Sequence, residues 1–168
     1  MEPGARTAAE SATAPRSETA PAGTHGGRVR PHDPPPGADR LLVVMGDIEM
    51  GQGGPGDDFP HSEWLGELIR SYNRPPFDRM AVDMVFNGDT FDLLKTSYLG
   101  AYPRHVTGEV ALGKMALIAG AHPAFFEGLR EFLDHGDAPR RAHFVVGNHD
   151  PELLYPEVQL FIRTKLGR

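Results

Sequence analysis

Three short stretches gather the residues that could do chemistry: Gly46-Asp47-Ile48-Glu49, Gly88-Asp89-Thr90-Phe91-Asp92 and Gly147-Asn148-His149-Asp150. The carboxylates of Asp47, Glu49 and Asp89 and the amide oxygen of Asn148 are hard donors, suited to Mn, Mg or Fe. Asp47 and Glu49 stand two apart, so an extended backbone would turn both to the same side. A carboxylate shared by two cations would hold them about 3.5–4 Å apart, the spacing used in two-metal hydrolysis. Taken singly, such a stretch is more often a turn or a helix cap than a set of ligands. Taken together, each directly behind an apolar run, they point to a metal site.

Those apolar runs are the elements that must position the chemistry. Leu41–Met45, Ala81–Phe86 and Ala142–Val146 are short and end at or just before a glycine. This is the pattern of strands buried on both faces in a parallel sheet. Helical spacing lies between them: Trp64, Leu65, Leu68, Ile69 and Tyr72, with Ser62 as the expected N-cap, and Phe125, Phe126, Leu129, Phe132 and Leu133. Val106–Ala119 reads as a further helix and Glu157–Leu166 as the last. Strands alternating with helices predict an α/β layer with right-handed crossovers. In such sheets ligands bind beyond the carboxyl ends of the strands, so the three stretches should converge on one edge.

Asp47-x-Glu49, the GDxxD of Gly88–Asp92 and the GNHD of Gly147–Asp150 resemble the first three motifs of the calcineurin-like metallophosphoesterases. The resemblance covers residues 41–150. It implies an α/β fold, the N-terminal half of a metallophosphoesterase-type αββα sandwich with mainly parallel strands and crossover helices. It also implies two divalent metal ions, Mn first, with Fe, Zn or Mg as alternatives. Carried over by position, Asp47 would bind one metal, Asp89 would bridge both, and Asn148 would bind the second. Glu49 stands where the family has a histidine ligand and would coordinate in its place. His149 would be catalytic, contacting the phosphate and helping the leaving group depart. Asp92 and Asp150 would support the ligands from behind. The implied activity is hydrolysis of a phosphoester or pyrophosphate by a two-metal-activated hydroxide, on a phosphorylated small molecule or a nucleotide diphosphate.

The family also uses histidines further downstream, one isolated and one pair in Gly-His-x-His. After His149 the 168 residues contain no histidine. Residues 41–168 are therefore expected to form a truncated domain with an incomplete ligand set, exposing an apolar sheet face. The alternative is a catalytically inactive fragment acting only as a cation- or partner-binding module. Among the earlier histidines, His61 could approach the site edge, although a solvated loop position is the favoured reading. The Gly-rich loop Gly51–Gly56 lacks the Lys-Ser/Thr ending of a P-loop and reads as a βα connection bordering the site.

Residues 1–40 hold five acids and five arginines, so the net charge of −6 resides wholly in 41–168. An acidic domain without a basic patch disfavours nucleic acid as a partner. Seven prolines, five glycines and no aromatic residue make 1–40 an expected disordered tail. With no cysteine, no signal-like start and no apolar run of membrane-spanning length, the expectation is a cytoplasmic protein without a transmembrane segment.

Overall fold

A computed structural model of the chain describes residues 33–168. The tail expected over 1–40 lies outside the described residues as far as position 32. Arg40 opens the first strand.

Three strands form one parallel sheet in the order β1 (Arg40–Met45), β2 (Ala81–Asn87), β3 (Arg140–Val145). Their register sets Met45 beside Phe86 and Phe86 beside Phe144, so all three chains leave the sheet at the same edge. Helix α1 (Ser62–Ser71) connects β1 to β2; α2 (Gly108–Ala121) and α3 (Pro123–Leu133) connect β2 to β3. A 3-10 turn at Pro151–Leu154 and helix α4 (Pro156–Lys165) follow β3. The molecule is thus α/β, with crossover helices between parallel strands. No helix among the described residues is long and apolar enough to cross a membrane.

The helix starts differ in one detail from expectation. Ser62 is the first residue of α1 rather than its cap; His61 takes the cap position without a side-chain hydrogen bond. Trp64, although in helical register with the apolar stripe, is half exposed on the solvent side. Helix α2 is capped as the chemistry predicts, Thr107 accepting from the Val110 N–H.

The core lies on one face of the sheet. Val82, Met84 and Phe86 point into it, joined by Leu65 and Ile69 of α1 and by Phe125, Leu129 and Phe132 of α3. Phe86 stacks on Phe144 at 4.8 Å and meets Phe125 edge-on at 5.4 Å, arrangements that aromatic quadrupoles favour. Helices α1 and α3 cross through glycines: a Cβ on Gly128 would stand 2.7 Å from the Cα and carbonyl oxygen of Gly66. Backbone cannot yield as a side-chain tip can. Gly128→Ala is therefore expected to destabilise by about 1–3 kcal/mol, despite alanine's better helix propensity, as a lower urea midpoint would show.

The opposite face corrects the sequence reading that the strands are buried on both sides. Only β2 is largely covered. Leu42 (61% exposed), Val44 (55%) and Val145 (45%) face outward with nothing over them among the described residues. Strand residues alternate between faces, and the other face alone has received helices. Beside these side chains the same face carries Asp83, paired with Arg40, Arg141 and His143.

Candidate metal centre at the strand ends

Each strand passes directly into one of the three polar stretches, and backbone hydrogen bonds sew the stretches into one rim. Asp47 N–H donates to Gly88 O (3.3 Å), Ile48 N–H and Glu49 N–H both donate to Asp89 O (3.0 and 2.8 Å), and Met50 N–H donates to Thr90 O (3.1 Å). On the other flank Gly88 N–H donates to Val145 O (3.1 Å) and Leu94 N–H to His149 O (3.1 Å). Buried Met50 and Phe91 bridge as strand partners and sink the first two loops into the core. Phe91 stacks with Phe126 and Phe144 there.

Two carboxylates join the second and third loops. Asp89 Oδ1 accepts the His149 N–H at 2.7 Å. Asp150, fully buried, accepts Gly147 N–H at 2.6 Å and Thr90 N–H at 2.8 Å, with Phe91 N–H further off at 3.4 Å. Gly147 must be glycine for this approach, because a Cβ there would collide with the Asp89 carboxylate. Asp150 therefore supports the rim from behind through backbone amides.

The rim stores backbone strain. Asp47 (φ 51°), Glu49 (φ 53°) and Asp89 (φ 49°) all adopt the left-handed conformation, which costs an L-residue about 1–2 kcal/mol, less for Asp than for Glu. Three acidic side chains held this way at adjoining strand ends fit a site that constrains where carboxylates point.

Glu49, Asp92 and His149 each offer a ligand atom, all within 4.8 Å of one another. Two carboxylate oxygens and an imidazole nitrogen are a donor set that fits Mn, Fe or Zn. His149 Nδ1–H donates to Asp92 Oδ1 at 3.1 Å, with Glu49 Oε2 at 3.9 Å. That hydrogen bond to Asp92 raises the His149 pKa above its ordinary 6.5; desolvation opposes the shift, and the charges of Glu49, Asp92 and Asp89 add to it. A raised histidine pKa means protonated His149 stabilises the fold fully below pH 6.5, and that contribution fades as pH climbs through the folded value. Asp92→Asn is expected to bring the imidazole C2–H titration back toward 6.5 in NMR; an unmoved midpoint would assign the shift to another cause.

Lys95, which no motif signalled, enters the same cluster. Its Nζ lies 3.2 Å from Glu49 Oε2, 3.3 Å from Asp92 Oδ2, and in contact with Asp58. Asp58 and Glu49 hold its ammonium charged well above the usual lysine range.

The Gly-rich loop borders this cluster, as the sequence suggested. Gly51, Gln52, Gly53, Pro55 and Gly56 line a cavity of about 520 Å³ with Asp92, Leu94, Lys95 and Tyr102. The loop is pinned by Asp57, whose buried carboxylate accepts Gly51, Gly53 and Phe59 N–H groups at 3.2, 2.8 and 3.0 Å. His122 Nε2, from the turn joining α2 to α3, sits 2.9 Å from Asp57 Oδ2 and 3.0 Å from Gly51 O. Desolvation would raise the Asp57 pKa, but the three backbone donors and His122 outweigh it and lower the value. Asp57 thus stabilises the loop at neutral pH, a contribution lost as pH falls through its lowered pKa. His61, by contrast, is exposed at the start of α1, edge-on to Phe59.

Of the residues singled out in the sequence, the fold brings Glu49, Asp92 and His149 into one group and ties Asp89 to His149. Asp47 and Asn148 stand exposed on the same rim, outside that trio. A larger cavity of about 640 Å³ between β3 and α4 contains none of these residues. No family model, curated protein or solved structure matches the chain.

Proposed function

We propose that this chain carries a divalent-metal site for hydrolysis of a phosphoester or pyrophosphate, of the calcineurin-like metallophosphoesterase kind. The observation that carries the reading is the single rim at the carboxyl ends of three parallel strands. There Asp47, Glu49 and Asp89, all left-handed, adjoin the hydrogen-bonded pair His149–Asp92. Bound cations would supply charge neutralisation at the phosphoryl oxygens and activation of water. The residues proposed to hold them are Asp47, Glu49, Asp89 and Asn148.

The chain's own groups do the rest. The His149 N–H fixes one Asp89 oxygen, leaving the other for a cation. Asp92 takes the proton-bearing Nδ1 of His149, which orients the ring and leaves Nε2 to hold a proton toward a departing oxygen. The neighbouring cavity offers Lys95 to an anion and Tyr102 and Leu94 to an apolar or ring-bearing group, which suits a phosphorylated small molecule or nucleotide diphosphate. The uncovered sheet face is where the second sheet of an αββα sandwich would pack.

That same bare face favours a second reading, a cation- or partner-binding module without turnover. The two are separated by assaying the full chain, stripped with a chelator, on p-nitrophenyl phosphate and bis-p-nitrophenyl phosphate with added Mn, Mg or Zn. Metal-stimulated cleavage that the chelator abolishes is expected. Mn binding without any cleavage would replace the hydrolase reading with the module.

A further inference from the structure

Lys95 stands where a cation's charge belongs. Its ammonium is shared by Glu49, Asp58 and Asp92, and Glu49 and Asp92 are two of the three residues that could hold a metal with His149. A divalent ion and an ammonium cannot both rest on the same carboxylates without strong like-charge repulsion. The lysine side chain is half exposed at 52%, so no packed core holds it in place. It also opens onto the cavity lined by Gln52, the Gly-rich loop and Tyr102. Asp58, half exposed on that loop and outside the trio, offers the ammonium a partner away from the metal ligands.

We infer that Lys95 is an exchangeable internal cation: it neutralises Glu49 while the metal is absent and swings off that carboxylate on metal entry, staying tethered to Asp58 at the cavity. This inference rests on the metal-site reading above and adds a residue to it. The physical consequence is a competition. Without the lysine, the carboxylates would be unneutralised in the metal-free chain and would take up a cation more tightly. With it, the empty site avoids mutual repulsion among Glu49, Asp58 and Asp92, and the displaced ammonium is delivered beside the place where an anionic substrate would bind.

Two measurements on the full chain test the exchange without reference to turnover. First, Mn(II) binding is followed by EPR for the native chain and for Lys95→Met, which keeps the length of the stem and removes the charge. Binding about tenfold tighter in Lys95→Met is expected, the scale of one or two half-exposed ion pairs no longer displaced. Second, the chain has three lysines, Lys95, Lys114 and Lys165, so reductive 13C-methylation yields few enough NMR signals to assign by substitution. Adding Mg or Zn should move the Lys95 signal toward the solvent-exposed position of Lys165 and leave that of Lys114, buried against Glu152, unchanged.

Mn binding of equal or weaker affinity in Lys95→Met, with an unmoved Lys95 signal, overturns the exchange and leaves the metal site standing. Binding in Lys95→Met alone supports the competition but shows the native lysine winning it, which removes the hydrolase reading for this chain. No binding in either protein overturns both.

Discussion

Asp89→Asn should leave the chain folded and strip it of metal-dependent hydrolysis. Asparagine tolerates the left-handed backbone at this position and keeps an oxygen for the His149 N–H, so the rim survives. What disappears is the negative charge of the residue proposed to lie between two cations. Loss of that charge stabilisation is expected to lower turnover of an aryl phosphate by about 10³-fold, or about 4 kcal/mol of barrier. Mn affinity should fall in parallel by at least about tenfold, while the urea midpoint stays near that of the native chain. Equal activity in Asp89→Asn and the native chain would assign the cleavage to some other site.

Asp150→Ala is expected to do the reverse, damaging the fold first and the site in consequence. The Asp150 carboxylate is fully buried and accepts strong hydrogen bonds from the Gly147 and Thr90 amides, which belong to different loops. Alanine leaves those two donors without their partner, the Thr90 amide buried and the Gly147 amide partly so. At about 1–3 kcal/mol for each unsatisfied buried group, the loss should total about 2–6 kcal/mol. Asp150→Asn, which keeps one acceptor oxygen but presents an NH2 to the other donor, should fall between. Denaturant unfolding followed by far-UV CD reads the effect; a shift under 1 kcal/mol for Asp150→Ala would mean these amides are satisfied without the carboxylate.

The contrast between these residues marks how far each could be read from the chain. Both sit in Gly-Asp or Asn-His-Asp stretches after an apolar run, and the resemblance of those stretches to a known family places both at the site. That Asp150 serves two loops through backbone donors required the loops to be seen side by side. Lys95 and the Asp57–His122 pin carried no sequence signal. Lys95 is one turn beyond Asp92 in a stretch without regular structure, and His122 meets Asp57 across a separation of 65 residues. Spacing within a motif speaks only of neighbours along the chain. His61, the histidine nearest the loop in sequence, stayed in solvent, and the more distant His122 took the buried place.

The primary structure by itself determined the alternation of strand and helix, the three strand ends and the acidic character of the domain. Those follow from local apolar periodicity and from glycines that stop each strand. Only the tertiary structure decided which face of the sheet went uncovered and which charges met. One face presents Leu41, Val43, Val82, Met84, Phe86 and Phe144 to α1 and α3, while the other mixes Leu42 and Val44 with Asp83, Arg141 and His143, which pair with one another. The grouping of Glu49, Asp92, His149 and Lys95 likewise arises because parallel strands discharge at one edge, a juxtaposition made by hydrogen-bond register and not by sequence distance.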